Sequence, residues 1–377
     1  MLADSYHSDI VEKIKTDDFT YRAGRLTIHL AREFGFCYGV DRAVDYAYQT
    51  RERFPDRRVY LTGEIIHNPH VNDKLRSMGI AFLDRTPGGI DELGPADVVI
   101  LPAFGVTVAV LKELDARGCM LIDTTCGSVL NVWKNVKRYA DGGYTSVIHG
   151  KAWHEETQAT ASQAVQCGAP YLVVLDKPEA QFVCDFIRNG KSRDAFLDKF
   201  TEAMSPGFDP DRDLQRIGLA NQTTMLMSES LEIGEMLRLA MIDRYGNSDA
   251  QSRYQEFDTI CSATQDRQDA VVTLLREREV DQMIVIGGYN SSNTANLARI
   301  CSEAKPTFHI ADSECLVAAD TIRHRPVGSK SEIVSHAWLP PTGSITLGLT
   351  SGASTPDNLV GAVVARLDQF ANGPRPS

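Results

Sequence analysis

Three of the eight cysteines, Cys37, Cys126 and Cys261, share a local pattern in which an extended segment ends at the cysteine and a helical segment begins directly after it: GFCYGVDRAVDYAY, DTTCGSVLNVWKNV and DTICSATQDRQDAVVTLL. A thiolate so placed meets the free N–H groups and positive potential of a helix amino terminus, which favours the charged, ligating form. Taken singly, a cysteine after a strand is more often a buried small hydrophobe than a ligand. That is the reading given to Cys119, Cys167, Cys184, Cys301 and Cys315. The threefold recurrence moves the balance toward metal ligation for the other three. No CxxC pair occurs, which argues against a zinc ribbon, a thioredoxin-like dithiol and the clustered spacing of ferredoxins. Three dispersed thiolates do suit a 4Fe–4S cubane with one iron left open, able to act as a Lewis acid and to deliver electrons.

Five further segments are unusually polar: EIIHNPHVN, HGKAWHEETQAT, NQTTM, GGYNSSNTANL and TSGASTPDNLV. Their bland reading is turns and helix caps, with His149 a satisfied structural histidine. Ser354, followed by Thr355, Pro356 and Asp357, can cap a terminal helix and meet phosphate as well.

These residues need a frame. Apolar runs at Leu26–Leu30, Val59–Thr62, Val98–Pro102, Met120–Asp123, Thr145–His149, Tyr171–Leu175, Arg216–Ala220, Gln282–Gly287, Thr307–Ile310 and Thr346–Thr350 alternate with helical patterns. Such alternation predicts an α/β protein with parallel-rich sheets. With each of the three cysteines at a strand's carboxyl end, where α/β sheets collect ligands, the expectation is three related units around one centre. They are 26–126, 127–258 and 259–377, after an extension over 1–25. Pro206–Asp213 and Pro340–Gly343 read as connections within the later units.

The chain of 377 residues is 43% hydrophobic and 24% charged, enough to bury a large core. Its formal net charge of −11 offers no electrostatic footprint for nucleic acid or an anionic membrane. The longest apolar stretches, such as Ala96–Val106 and Met283–Gly288, fall well short of the roughly 20 residues of a membrane span. Met1–Arg25 lacks the apolar core of a secretory signal. A cytoplasmic setting is expected, in which eight cysteines stay reduced rather than forming disulfides.

Taken together and in order over Leu26 to Leu367, GFCYGVDRA, EIIHNPHVN, DTTC, HGKAWHEET, NQTTM, ICSATQDRQ, GGYNSSN and TSGASTPDN resemble the signature series of the 4-hydroxy-3-methylbut-2-enyl diphosphate reductase (IspH/LytB) family. The resemblance implies a three-lobed α/β arrangement around a central 4Fe–4S cluster on Cys37, Cys126 and Cys261. It implies reductive removal of an allylic hydroxyl, giving isopentenyl and dimethylallyl diphosphate in the last step of the non-mevalonate isoprenoid route. His67 and His154 are then substrate-binding, with Ser291, Ser292, Asn293 and Ser354 around the diphosphate. Glu156 becomes the proton source and Thr223 its relay and a contact of the substrate hydroxyl. A carboxylic acid desolvated beside a diphosphate holds its proton tightly, which suits a general acid near neutral pH. The partner implied is a one-electron donor such as ferredoxin or flavodoxin, and the chain has no NAD or flavin fingerprint of its own.

The chain departs from the pattern at two places. Many bacterial members read AHGV where this chain has Pro102, Ala103, Phe104 and Gly105, and a proline commonly follows the second cysteine where Gly127 stands. The PAFG form, with HGKAWHEET and NQTTM, resembles the plant and cyanobacterial branch. Among rival readings, an aconitase-type hydratase wants paired cysteine spacing, and an iron–sulfur sensor would need no diphosphate pocket. A radical enzyme wants CxxxCxxC and a zinc hydrolase HExxH; position 158 is Gln where the second histidine of the latter would fall.

Overall fold

The computed structural model describes residues 5–190, 192–257 and 259–372. Asp258, the first residue of the DTIC segment, lies outside them, as do residues 1–4 of the expected extension and 373–377 of the expected third unit. The chain divides into two compact units, each discontinuous in sequence. Unit 1 is Met1–Gln49, Glu64–Met78 and Ser262–Ser377; unit 2 is Thr50–Gly63 and Gly79–Cys261.

Unit 1 is built on a five-stranded sheet, with strands numbered along the chain: β1 (Thr20–Ala23), β2 (Leu26–Leu30), β16 (Ile345–Ser351), β11 (Gln282–Ile286) and β12 (Thr307–Ile310), in that spatial order. Only the β1–β2 pair is antiparallel. The apolar run of β11 and the near-continuous burial of β16 are what a parallel strand covered on both faces requires. One face packs Ile28, Ile284, Leu347 and Leu349 on Val360, Val363, Val364 and Leu367 of the helix Asp357–Asn372. The other packs Met283 and Val285 on Val271 of the helix Ser262–Glu277 and Leu297 of the helix Ser292–Ala304.

The segment expected as an extension is part of this core. Ser8 caps the helix Asp9–Thr16, whose Val11 and Ile14 are wholly buried in the same cluster, and Lys15 pairs with Asp357 at 2.9 Å. A second, antiparallel sheet of β13 (Leu316–Ala318), β14 (Thr321–His324) and β15 (Ile333–His336) was not anticipated from the sequence.

Unit 2 holds two four-stranded, wholly parallel sheets. One runs β4 (Ile80–Phe82), β3 (Val59–Leu61), β5 (Val98–Leu101), β6 (Met120–Asp123); the other runs β10 (Tyr254–Glu256), β9 (Ile217–Asn221), β7 (Thr145–His149), β8 (Tyr171–Val174). Thus the protein is α/β with several parallel-rich sheets, and all ten predicted strands are present. One pairing differs from the expected 26–126 grouping. β2 lies beside β16 from the other end of the chain, because its alternately buried Leu26, Ile28 and Leu30 complete the apolar face that β16 begins. Among the described residues no helix is long and apolar enough to cross a membrane.

Candidate active site

In unit 1 the polar segments converge on each other. Asn68 caps the helix Pro69–Ser77 by accepting the N–H of His70 at 3.0 Å, and its amide donates to the Ser354 carbonyl at 2.8 Å. The Ser354 hydroxyl in turn donates to the His67 carbonyl at 3.3 Å. Gly288 presses on that same carbonyl; a Cβ there would lie 2.5 Å from the oxygen, so the GGYNSSN loop requires glycine at this point. The His67 ring sits with Nδ1 3.3 Å from Glu64, which also accepts from Asn290 at 2.8 Å. Burial pulls the Glu64 carboxyl upward, but the hydrogen bond and charge of His67, the hydrogen bond from Asn290 and the charge of Arg76 outweigh it, leaving Glu64 below its ordinary value. An ionised Glu64 accepts the Nδ1 proton and fixes the ring's orientation.

Ser291 is the N-cap of the helix Ser292–Ala304, its oxygen accepting from Thr294 N–H at 3.3 Å. The cap satisfies one of the first-turn N–H groups, and the serine keeps its own O–H to donate. Asn293 accepts the Ala353 N–H at 2.9 Å through Oδ1, while its buried Nδ2 has no partner among the described residues. Cys37, directly ahead of the helix Tyr38–Arg53, joins the same group, its N–H donating to Ala353 at 3.1 Å. A buried amide donor beside a helix amino terminus is a fitting place for an anion.

Unit 2 carries the second group. Glu156 is 3% exposed, and its carboxylate takes two hydrogen bonds from one residue: Thr223 N–H to Oε1 at 2.6 Å and Thr223 O–H to Oε2 at 3.0 Å. His154 is the N-cap of the helix Glu155–Gln166, with Nδ1 accepting the Glu156 N–H at 3.2 Å. The neutral ring therefore carries its proton on Nε2. The Phe104 ring stands edge-on to His154, centroids 6.4 Å apart. Thr223 also anchors the third cysteine, its carbonyl accepting from Cys261 N–H at 3.1 Å. The Ser128 hydroxyl donates to Cys261 Sγ at 3.3 Å, and Ser128 lies two residues past Cys126, the N-cap of the helix Gly127–Asp141.

All eight cysteines are thiols, none in a disulfide. Cys37, Cys126 and Cys261 are half-buried, whereas Cys119, Cys184, Cys301 and Cys315 are buried. Burial pushes Cys184 up to about 11 and Cys301 up to about 12, so both behave as inert small hydrophobes. Cys167 corrects the expectation of burial: it is exposed at the C-cap of the helix Glu155–Gln166, where the chain turns to reach β8. His149 is structural, fully buried with Nδ1 2.8 Å from Ser230. The donor set fits an iron–sulfur cluster in kind: three accessible thiols at helix amino termini, one already receiving a hydroxyl hydrogen bond.

Sequence reasoning passed over Glu64, Asn68, Asn290 and Ser128. All four lie inside the segments singled out as unusually polar or cysteine-bearing, and only their contacts distinguish them from turn residues.

The chain and its fold belong to a described class of protein. The LytB protein family's profile matches residues 28–368, and the chain belongs to that family. A Gloeobacter violaceus relative is 48% identical over 369 residues, covering 96% of this chain and 87% of its own length; one from a Synechococcus species is 48% identical over 373 residues, covering 98% and 90%. Both are named 4-hydroxy-3-methylbut-2-enyl diphosphate reductase. A solved reductase of that name, described as the terminal enzyme of the non-mevalonate pathway, matches with TM-score 0.55 and 27% identity over 91% of this chain and 99% of its own. The Plasmodium falciparum enzyme matches in fold with TM-score 0.64 at 20% identity, over 94% of this chain and 90% of its own.

Proposed function

We propose that this protein is an oxidoreductase that removes the allylic hydroxyl of 4-hydroxy-3-methylbut-2-enyl diphosphate, using two electrons and two protons to release water and isopentenyl or dimethylallyl diphosphate. A 4Fe–4S cluster would be held by Cys37, Cys126 and Cys261, and when bound it supplies the electrons and a Lewis-acidic iron. The 48% identity over nearly the whole length of reductases of this name supports the reaction. The expected three-unit partition stays a proposal beside it, as does a cytoplasmic setting, where thiols stay reduced.

The observation that carries the residue assignment is the Glu156–Thr223 pair. A hydroxyl both donates and accepts, so Thr223 Oγ1 can take a proton from protonated Glu156 at Oε2 and hand one on to a substrate oxygen. The backbone N–H on Oε1 keeps the carboxyl from swinging away between turnovers. His154, with its Nε2 proton set by the Glu156 N–H, donates to the substrate beside them. On unit 1, His67, Ser291, Ser292, Asn293 and Ser354 would bind the diphosphate through N–H and O–H donors, local features able to hold an anion on a chain of net charge −11. The electron donor would be a one-electron carrier protein such as ferredoxin or flavodoxin.

The test is anaerobic turnover of the diphosphate with a reduced one-electron donor, after iron and sulfide are quantified in the same sample. Release of the two isomeric diphosphates is expected. A fully loaded sample that neither converts nor binds the substrate would overturn the reading.

A further inference from the structure

Arg267 occupies an energetically unfavourable position. It is 4% exposed in the helix Ser262–Glu277, and among the described residues its guanidinium donates to two carbonyls, Ala263 at 2.8 Å and Gly35 at 2.9 Å. Among the described residues its buried Nε–H has no partner and no carboxylate pairs with it. An arginine cannot relieve burial by losing its proton, since guanidinium stays charged at any pH a protein survives. An isolated buried charge is expensive, and burying it is sustained only where opposite charge lies nearby. Two carbonyl dipoles are weak compensation for a full positive charge.

The place where that charge is held is informative. Gly35 lies two residues before Cys37, and it is the Gly35 carbonyl that the guanidinium grips. Gly35 itself is fixed from the other side, its N–H donating to Ser351 at 3.0 Å. Arg267 therefore spans from one helix to the loop that presents the Cys37 thiol. Ionised cysteine, and still more an iron–sulfur cluster bound by thiolates, brings negative charge to this loop.

We infer that Arg267 is the buried counter-charge of the cluster at Cys37, a positioning residue that holds the cysteine loop and sets the cluster's reduction potential. The inference rests on the cluster reading given above and adds a role that the reading does not require. Positive charge fixed near a cluster favours the reduced, more negative state, so it raises the potential and eases electron entry from the donor. Lysine at this position keeps the charge but loses the two-armed grip; methionine keeps the volume of the stem and loses the charge.

The experiment compares wild type, Arg267→Lys and Arg267→Met after anaerobic reconstitution, with iron and sulfide counted and the potential read by a redox titration followed by electron paramagnetic resonance. The expected result is a fully loaded Arg267→Met protein that titrates at a more negative potential, with Arg267→Lys close to wild type and the KM for diphosphate little changed in both. A loaded Arg267→Met protein with the wild-type potential overturns the inference, leaving Arg267 a loop clamp. A raised KM with unmoved potential also overturns it, because the charge then serves the diphosphate. If Arg267→Met fails to load, loading of Arg267→Lys supports the counter-charge, while failure of both overturns it in favour of grip geometry. A wild type that takes up no cluster at all defeats the cluster reading itself, a separate outcome visible before any variant is made.

Discussion

The polar group of unit 1 and that of unit 2 are assembled from opposite materials. Unit 1 presents hydrogen-bond donors: the Asn293 amide, the Ser291 hydroxyl, the His67 ring and the first turn of a helix. Unit 2 presents a buried carboxylate locked by one threonine and a histidine whose tautomer is set by a backbone N–H. Donors and positive helix ends bind anions, while a desolvated carboxyl stores and moves protons. On the proposed reading the two groups divide the labour: one would grip substrate and the other would do acid chemistry. Both are braced by backbone hydrogen bonds from a cysteine, Cys37 to Ala353 and Cys261 to Thr223.

That division predicts kinetic effects of different kind. Glu156→Gln preserves the shape and keeps the bond from Thr223 N–H through its amide oxygen, while its NH2 now donates to the Thr223 hydroxyl, and it cannot act as an acid. Turnover should fall by roughly 10²- to 10⁴-fold, the usual worth of general acid catalysis, with iron content and KM unchanged. Asn293→Asp retains Oδ1 for the Ala353 N–H while replacing the buried donor by an acceptor carrying charge. Its KM for diphosphate should rise roughly 10- to 100-fold, the cost of losing a hydrogen bond to a charged group, with kcat within a few-fold of wild type. Steady-state kinetics on both variants decide the matter. The comparison breaks if Glu156→Gln weakens binding while Asn293→Asp slows chemistry.

A third prediction concerns stability rather than catalysis, and it belongs to unit 1 alone. His309 on β12 is 3% exposed and its Nε2 donates to the carbonyl of Gly287, at the root of the loop that carries Gly288. Burial pushes it down to about 4, with the Gly287 hydrogen bond a smaller opposing influence. The folded state thus prefers the neutral ring and the unfolded chain binds the proton more readily. Stability is complete above the unfolded value near 6.5 and is lost as pH falls from there toward 4. Between pH 7 and 5 the loss from this group is about 2 kcal/mol. Chemical denaturation at the two pH values should show it in wild type and not in His309→Gln, which can still donate to Gly287. Equal acid sensitivity of the two proteins would remove His309 from the account.

Much of this was legible from residue order. Ten strands and three strand–cysteine–helix corners follow from local apolar runs, because a buried parallel strand needs nothing beyond its own side chains to be recognised. The short strands β4 and β10 and the half-exposed β13 to β15 carry too little apolar pattern to stand out. Pairing of β2 with β16 is a contact between chain ends, invisible to any local window. At the proposed site, the cysteines, Glu156 and Thr223 stand out in the sequence because their segments are distinctive. Glu64, Asn68 and Arg267 do not, because their importance lies in what they touch: a carboxylate orienting His67, a cap that ties Ser354, a buried charge held on the Gly35 carbonyl.

The smallest effect is expected at Phe104, where this chain departs from the bacterial pattern. The backbone there is fixed independently of the side chain: Cys126 N–H donates to the Ala103 carbonyl at 2.8 Å, and Gly105 has φ of +78° with the Trp133 ring against it, so no Cβ fits. Phe104 is thus free to vary in type while its position is held. Its ring meets His154 edge-on, an aromatic contact worth about 0.5–1.5 kcal/mol beyond burial. His154 is also held by the Glu156 N–H, so loss of the ring contact should loosen the imidazole without releasing it. Phe104→Leu should accordingly lower kcat/KM by about two- to tenfold, far less than Glu156→Gln. A loss as large as that of Glu156→Gln would place Phe104 in the acid chemistry of unit 2, and no loss would mean that the backbone alone orients His154.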